Sequence, residues 1–185
     1  MGLLIIYVVL TLVFIGLVYH MIFIKQKSHK RIIIMGGGGS GKDYLKNKLI
    51  NRGFRPEISY TTRPIREGEV DGVTYHYVTK KNFLNMAKHN SFVQYKNFRS
   101  WWYGTHKNDW NNKDIFIMTP EGLETLTKKD RSSSFVIFID IAEDIRRKRL
   151  EKRNDADDVQ RRLKADREQF ENLTDYDMII KNPEF

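Results

Sequence analysis

The chain opens on one long apolar run and then changes character. Nineteen of the 22 residues from Leu3 to Ile24 are hydrophobic, with Thr11, Gly16 and His20 as the interruptions. As a helix rising ~1.5 Å per residue, that run spans roughly 33 Å, the thickness of a bilayer's hydrocarbon core. Beyond it the apolar positions fall into short blocks. Arg31–Met35 is β-branched and predicts a strand. A glycine cluster follows, then Tyr44–Ile50, where Leu45 and Leu49 stand four apart as on one helix face. Phe83, Leu84 and Met86 predict the packed side of a further helix, and Asp114–Met118 predicts a strand. Phe135–Ile139 is continuously apolar, as suits a strand buried on both faces of a parallel sheet. Asp144–Arg153 predicts a basic helix and Met178-Ile179-Ile180 a last strand. Strands and helices in this order predict an α/β fold with a parallel sheet at its core.

Charge sharpens the division. The 185 residues hold 32 Lys and Arg against 23 Asp and Glu, a net charge of +9, yet the first 24 residues contain none of these. Lys25, Lys27, Lys30 and Arg31 follow the apolar run directly, while only the terminal amine precedes it. By the positive-inside tendency, residues 1–24 read as a transmembrane anchor and 25–30 as a basic juxtamembrane linker. The body from residue 31 to 185 would then lie on the cytoplasmic side. A cleaved signal peptide fits less well, because a basic leading region and a small-x-small cleavage site are missing and the run is too long. Ile6 also stands where a myristoylation signal needs Ser or Thr. The length of the body suits one domain. With no cysteine, a disulfide framework, thiolate metal ligands and a cysteine nucleophile are excluded.

Gly36-Gly37-Gly38-Gly39-Ser40-Gly41-Lys42-Asp43 lies between the first predicted strand and the first predicted helix. In that context G-x-x-x-x-G-K reads as a phosphate loop. Backbone N–H groups must converge on phosphate oxygens, which glycine permits at positive φ, and a helix N-terminus adds partial positive charge. Gly36, Gly39, Ser40, Gly41, Lys42 and Asp43 are the candidate ATP-phosphate ligands, with Lys42 reaching the β/γ-phosphates. Asp43 replaces the Ser or Thr whose hydroxyl usually meets Mg²⁺. A carboxylate is also a hard oxygen ligand, so Asp43 is the candidate metal residue, directly or through water.

Arg63 and Arg66 flank Pro64 at a spacing of three and offer two guanidinium forks to one dianionic phosphate. Tyr75 and Tyr103 can add neutral O–H donors. The segment Ser59-Tyr60-Thr61-Thr62-Arg63-Pro64-Ile65-Arg66-Glu67-Gly68-Glu69 closely resembles the S-x-T-T-R-x-x-R-x-G-E motif of the guanylate kinase family. The likeness continues through Phe92-Val93-Gln94, Trp102-Tyr103-Gly104-Thr105 and the basic stretch from Arg146 to Leu163, and covers nearly all of Arg31 to Asn182. It implies a P-loop kinase with a small nucleotide-monophosphate insert over about 58–108 and a basic lid over about 153–162. It also implies that Arg63, Arg66, Tyr75 and Tyr103 bind the acceptor nucleotide's phosphate. Arg149, Arg153 and Arg162 would close over the triphosphate and act with Lys42 on the transferring phosphoryl group, and Asn182 would lie near the adenine pocket. The reaction implied is phosphorylation of a GMP- or dGMP-like monophosphate by ATP with Mg²⁺.

Base recognition departs from the family. Guanylate kinases read guanine N–H groups with one glutamate and one aspartate, assisted by a serine and a threonine. Ser59 and Thr105 are retained, but Gln94 stands at the glutamate's position and Thr119 at the aspartate's. Charged hydrogen bonds contribute roughly 1.5–3 kcal/mol each, so this exchange weakens the expected guanine preference. Two other readings follow: a kinase for another phosphorylated acceptor such as a sugar phosphate, and a silent guanylate kinase-like module that binds phosphopeptides. The retained phosphate loop and lid arginines favour an enzyme. The basic balance also suits a nucleic-acid surface, but a protein binding two nucleotides needs that charge locally, and no nucleic-acid partner is expected.

Overall fold

A computed structural model describes residues 31–98, 100–152 and 158–185. The apolar segment 3–24, the linker 25–30, Arg153 and the lid residues 154–157 lie outside the described residues. Among those described, no helix is long and apolar enough to cross a membrane. In chain order the elements are β1 (Arg31–Gly36), α1 (Lys42–Ile50), β2 (Tyr60–Thr61), β3 (His76–Tyr77), α2 (Lys80–Lys88), β4 (Phe92–Phe98) and β5 (Trp101–His106). Then come α3 (Lys107–Asn112), β6 (Ile115–Ile117), α4 (Pro120–Glu124), α5 (Lys128–Ser132), β7 (Ser134–Ile139), α6 (Glu143–Glu151), α7 (Val159–Phe170) and β8 (Met178–Ile180). The described residues form two compact units, one of residues 31–42 together with the described part of Ser132–Phe185, the other Asp43–Arg131.

In the first unit β1 pairs in parallel with β7, Ile33 facing Val136 and Ile34 facing Ile137, and β7 pairs in parallel with β8. Ile33, Ile34, Val136 and Ile137 are completely buried. A sheet covered on both faces demands such unbroken apolar strands, and each buried side chain contributes roughly 1.5–3 kcal/mol. Helices α6 and α7 pack on each other, and Leu150 and Leu163 are buried. The basic helix predicted from Asp144 begins one residue earlier and ends at Glu151.

The second unit is built on a sheet of order β3-β2-β5-β4, in which β4 and β5 form an antiparallel pair. Its core is aromatic: Phe83 of α2 stacks on Phe92 at 4.6 Å between ring centroids and faces Trp102 at 6.0 Å. Gly104 is required there, because a Cβ would stand 3.0 Å from both rings, Phe83 and Phe92. Of the predicted apolar face of α2, Phe83 is buried but Leu84 is exposed, since one nine-residue helix on a small sheet covers a narrow stripe. The strand expected over Asp114–Met118 is trimmed to Ile115–Ile117, because Asp114 turns back to bind Arg55 through both oxygens.

Candidate active site

The first unit carries the glycine loop. Gly39 and Gly41 adopt φ of +75° and +102°, the left-handed region that glycine occupies without a Cβ penalty. At Gly39 a Cβ would also meet the Arg146 carbonyl oxygen at 2.8 Å. The predicted helix after the loop starts at Lys42 itself, so the loop leads directly into a helix N-terminus. Lys42 Nζ donates to the Gly36 and Gly37 carbonyl oxygens at 2.7 and 2.9 Å, which holds its ammonium over the loop. Ser40 Oγ is fully buried and has no hydrogen-bond partner among the described residues.

Two arginines of α6 grip the same loop. Arg149 Nη1 donates to the Gly39 carbonyl oxygen at 3.1 Å and its Nη2 to the Pro183 carbonyl oxygen at 2.9 Å. Buried Arg146 donates to the Gly38 carbonyl oxygen and to Asp166 Oδ2, while Asp166 Oδ2 accepts the Gly38 N–H at 2.7 Å. Arg162 is buried in α7. Arg149 thus stands on the loop, while Arg153 lies outside the described residues. Neither Arg146 nor Asp166 stood out as a loop support in the sequence, because nothing local marks a pair 20 residues apart. Asn182 is exposed, and its Oδ1 accepts the Glu184 N–H at 3.0 Å, a turn contact.

The second unit gathers the acceptor candidates. Arg63 is buried, and its Nη2 donates to Glu69 Oε1 at 2.7 Å while Nη1 donates to the Pro64 carbonyl oxygen. Its guanidinium lies 5.5 Å from the ring centre of Tyr75 and 5.7 Å from that of Tyr77. Tyr103 stands edge-on to Tyr75 at 6.0 Å. Burial opposes the Arg63 charge, yet the hydrogen bond and charge of Glu69 raise its pKa overall. Burial likewise opposes the Glu69 charge, but Arg63, the Arg66 backbone N–H and Tyr77 Oη together pull its carboxyl down to about 2. Burial, with Tyr103 second, pushes the Tyr75 phenol up, so it remains a neutral donor. Arg66 is exposed, and its backbone N–H donates to Glu69 Oε2 at 2.8 Å.

A second polar cluster surrounds Gln94. Its Nε2 donates to Thr105 Oγ1 at 3.0 Å, while its Oε1 stands 3.1 Å from where a Cβ on Gly122 would lie. Thr119 is the N-cap of α4, with Oγ1 accepting the Gly122 N–H at 3.2 Å and Pro120 following it. Ser59 Oγ donates to both oxygens of Glu57, at 2.8 and 2.9 Å. Glu57 and Glu69 were missed as site residues. Glu69 lay inside the quoted motif, and Glu57 stands two before Ser59, the spacing that puts side chains of an extended stretch on one face.

The guanylate kinase family model matches residues 28–185. The chain belongs to the guanylate kinase family. It is 28% identical over 155 residues to a guanylate kinase of Chlorobium luteolum, with 79% of each chain covered. The crystal structure of guanylate kinase from Anaplasma phagocytophilum superposes with a TM-score of 0.66, covering 84% of this chain and 77% of that one at 20% identity. Family membership makes the protein a nucleoside-monophosphate kinase.

The guanylate kinase-like chain brings Arg63, Tyr75 and Tyr103 into one cluster and Ser59, Gln94 and Thr105 into another. It does not build a protein-only metal cage: among the described residues, no group of three or more His, Asp or Glu side chains could hold an ion. Asp43 is exposed and paired with Lys46 at 3.1 Å. A single carboxylate in the first turn after the phosphate loop still fits Mg²⁺, which keeps waters and binds through one or two carboxylates plus substrate phosphates.

Proposed function

We propose that the protein transfers the γ-phosphoryl group of ATP to a nucleoside monophosphate, giving ADP and the nucleoside diphosphate. The observation that supports this reading is that one chain holds two constructions of different type, each suited to phosphate. The first is a backbone cradle with Lys42 and Arg149, suited to a polyphosphate. The second is the buried Arg63 fork with neutral tyrosines, suited to a single terminal phosphate.

Lys42 and the loop N–H groups bind and orient the donor phosphates, and Arg149, joined by Arg153 and Arg162, neutralises charge on the transferring group. Mg²⁺, held by Asp43 and the phosphates, would supply further charge neutralisation. Arg63 and the Tyr75 and Tyr103 hydroxyls align the acceptor. Glu69 holds the Arg63 guanidinium in place, so that no rotamer search is needed when the phosphate arrives. The acceptor phosphate is already anionic, so no general base is required of the protein, and positioning carries the rate.

We also propose that residues 3–24 anchor this kinase in a membrane with the catalytic part on the cytoplasmic side. The support is the length of the apolar run and the basic cluster after it. Carbonate extraction of membranes tests the anchor: retention in the pellet is expected, and release to the supernatant would contradict it. For the reaction, Mg-ATP and full-length protein in detergent should release ADP with a nucleoside monophosphate, and Lys42→Ala should abolish that release. Turnover with ribose 5-phosphate alone would replace this reading by a sugar-phosphate kinase.

A further inference from the structure

Between Asp71 and Asp109 the chain has no acidic residue: residues 72–108 hold five lysines and one arginine but neither Asp nor Glu. Part of this charge is answered elsewhere in the second unit, since Lys96 pairs with Glu121 at 2.7 Å. On α2 it is not. That helix reads Lys80-Lys81-Asn82-Phe83-Leu84-Asn85-Met86-Ala87-Lys88, and it buries Phe83. Lys80, Leu84 and Lys88 stand four apart and share one stripe, with Lys81 beside it. All four residues are exposed, Leu84 keeping 40% of its surface. None of the three lysines is paired with a carboxylate among the described residues. Tyr95 of β4, itself 46% exposed, stands edge-on to Phe83 at 6.3 Å and borders the same helix. The outer face of α2 thus combines ammonium groups with an exposed leucine and a half-exposed phenol.

We propose that this face of α2 docks on the anionic surface of a lipid bilayer. Such docking rests on the membrane anchor proposed above and adds a second contact, made by the kinase body itself. Seven steps of chain lead from Ile24, the end of the apolar run, to Arg31. At ~3.6 Å per residue or less, β1 begins within roughly 25 Å of the anchor's end. A body held so near meets the headgroups continually, and a helix with three unpaired lysines and no acid is a side that an anionic surface attracts. Lysine stems lie along apolar surface while their ammonium groups reach lipid phosphates, and Leu84 between them enters the acyl boundary. Tyr95 has the amphipathic ring that suits the headgroup level. A nucleic-acid backbone would use the lysines but would leave Leu84 without an apolar partner, so the bilayer is the better fit. Each lysine near such a surface is worth roughly fivefold in partitioning, and three together roughly a hundredfold. The attraction falls off within a Debye length, ~8 Å at physiological salt.

The test places full-length protein in nanodiscs of phosphatidylcholine alone or with about 30% phosphatidylserine, and follows acetylation of individual lysines by mass spectrometry. Lys80, Lys81 and Lys88 should react at least about fivefold more slowly in the anionic discs, and about 0.5 M NaCl should remove the difference. A variant carrying Lys80→Glu and Lys81→Glu, both at exposed positions outside the nucleotide sites, should melt as wild type does. Its Lys88 should react equally in the two kinds of disc. Equal acetylation of the wild type in both discs would overturn the docking face and leave the anchor standing. Retardation of DNA or RNA by the protein in neutral discs, lost in the double variant and accompanied by equal acetylation, would assign the face to nucleic acid instead. Release of the full chain by carbonate would remove the anchor. Pelleting of that released chain with anionic vesicles, no better than with neutral ones, would then overturn the face as well.

Discussion

Arg146 Nη1 lies 2.9 Å from Asp166 Oδ2, and the same oxygen accepts the Gly38 N–H at 2.7 Å. One buried carboxylate on α7 thereby holds both an arginine of α6 and the backbone of the phosphate loop. Both side chains are about nine-tenths buried. Asp166→Ala leaves the Arg146 charge without its partner and the Gly38 N–H without its acceptor. Breaking a buried pair costs about 3–5 kcal/mol, so denaturant unfolding should show a loss of that order. Asp166→Asn, which keeps an acceptor for Gly38, should lose less and retain measurable ATP binding.

The glycine at position 39 is a separate lever on the same loop. Its φ of +75° and the 2.8 Å approach of a would-be Cβ to the Arg146 carbonyl oxygen leave no room for alanine. Gly39→Ala should destabilise the protein by about 1–3 kcal/mol through backbone strain and should weaken ATP binding more than acceptor binding. Titration calorimetry with each nucleotide separately makes the distinction.

Acid should release the Arg63 clamp. The folded Glu69 carboxyl is held at about 2, below its ordinary value of 4.5, so the folded state is stabilised above pH 4.5 and loses that stabilisation as pH falls toward 2. At ~1.4 kcal/mol per unit the loss is on the order of 3 kcal/mol. Chemical denaturation at stepped pH should show it in the wild type and a flatter profile in Glu69→Gln. The acceptor KM of Glu69→Gln should rise at neutral pH, because Arg63 is no longer fixed.

Glu57 carries the opposite sign. Burial is the main cause that raises it to about 8, with Asp109 adding to the rise while Ser59, Thr105 and Lys46 oppose it. Between pH 4.5 and 8 the folded chain keeps a proton that the unfolded chain has lost, so this group's contribution to stability falls as pH rises through that window. Glu57→Gln should therefore gain stability over wild type by a few kcal/mol on going from pH 5 to 8, read from the same denaturation series.

Much of this was legible in the sequence because it is local. The phosphate loop, its strand and its helix are contiguous, and β1, β7 and β8 announce themselves as short apolar runs. Arg63, Tyr75 and Tyr103 followed from the family motif and stand together. What escaped the sequence depends on partners distant along the chain. The Asp166–Arg146–Gly38 arrangement joins residues up to 128 apart. Gln94 meets Thr105 only because β4 and β5 pair side by side. The Thr119 position looked like a simple loss of a carboxylate. Instead its oxygen has a structural task, capping the short helix α4.

Steady-state ADP release by the full-length protein in detergent, with Mg-ATP and GMP, dGMP, AMP, CMP, UMP, dTMP or ribose 5-phosphate as acceptor, decides whether this chain is a nucleoside-monophosphate kinase. Nucleoside diphosphate should form stoichiometrically with ADP from a nucleoside monophosphate, with at least a hundredfold loss in Lys42→Ala. Failure to phosphorylate any nucleoside monophosphate, while the folded protein still binds phosphopeptide, would contradict it.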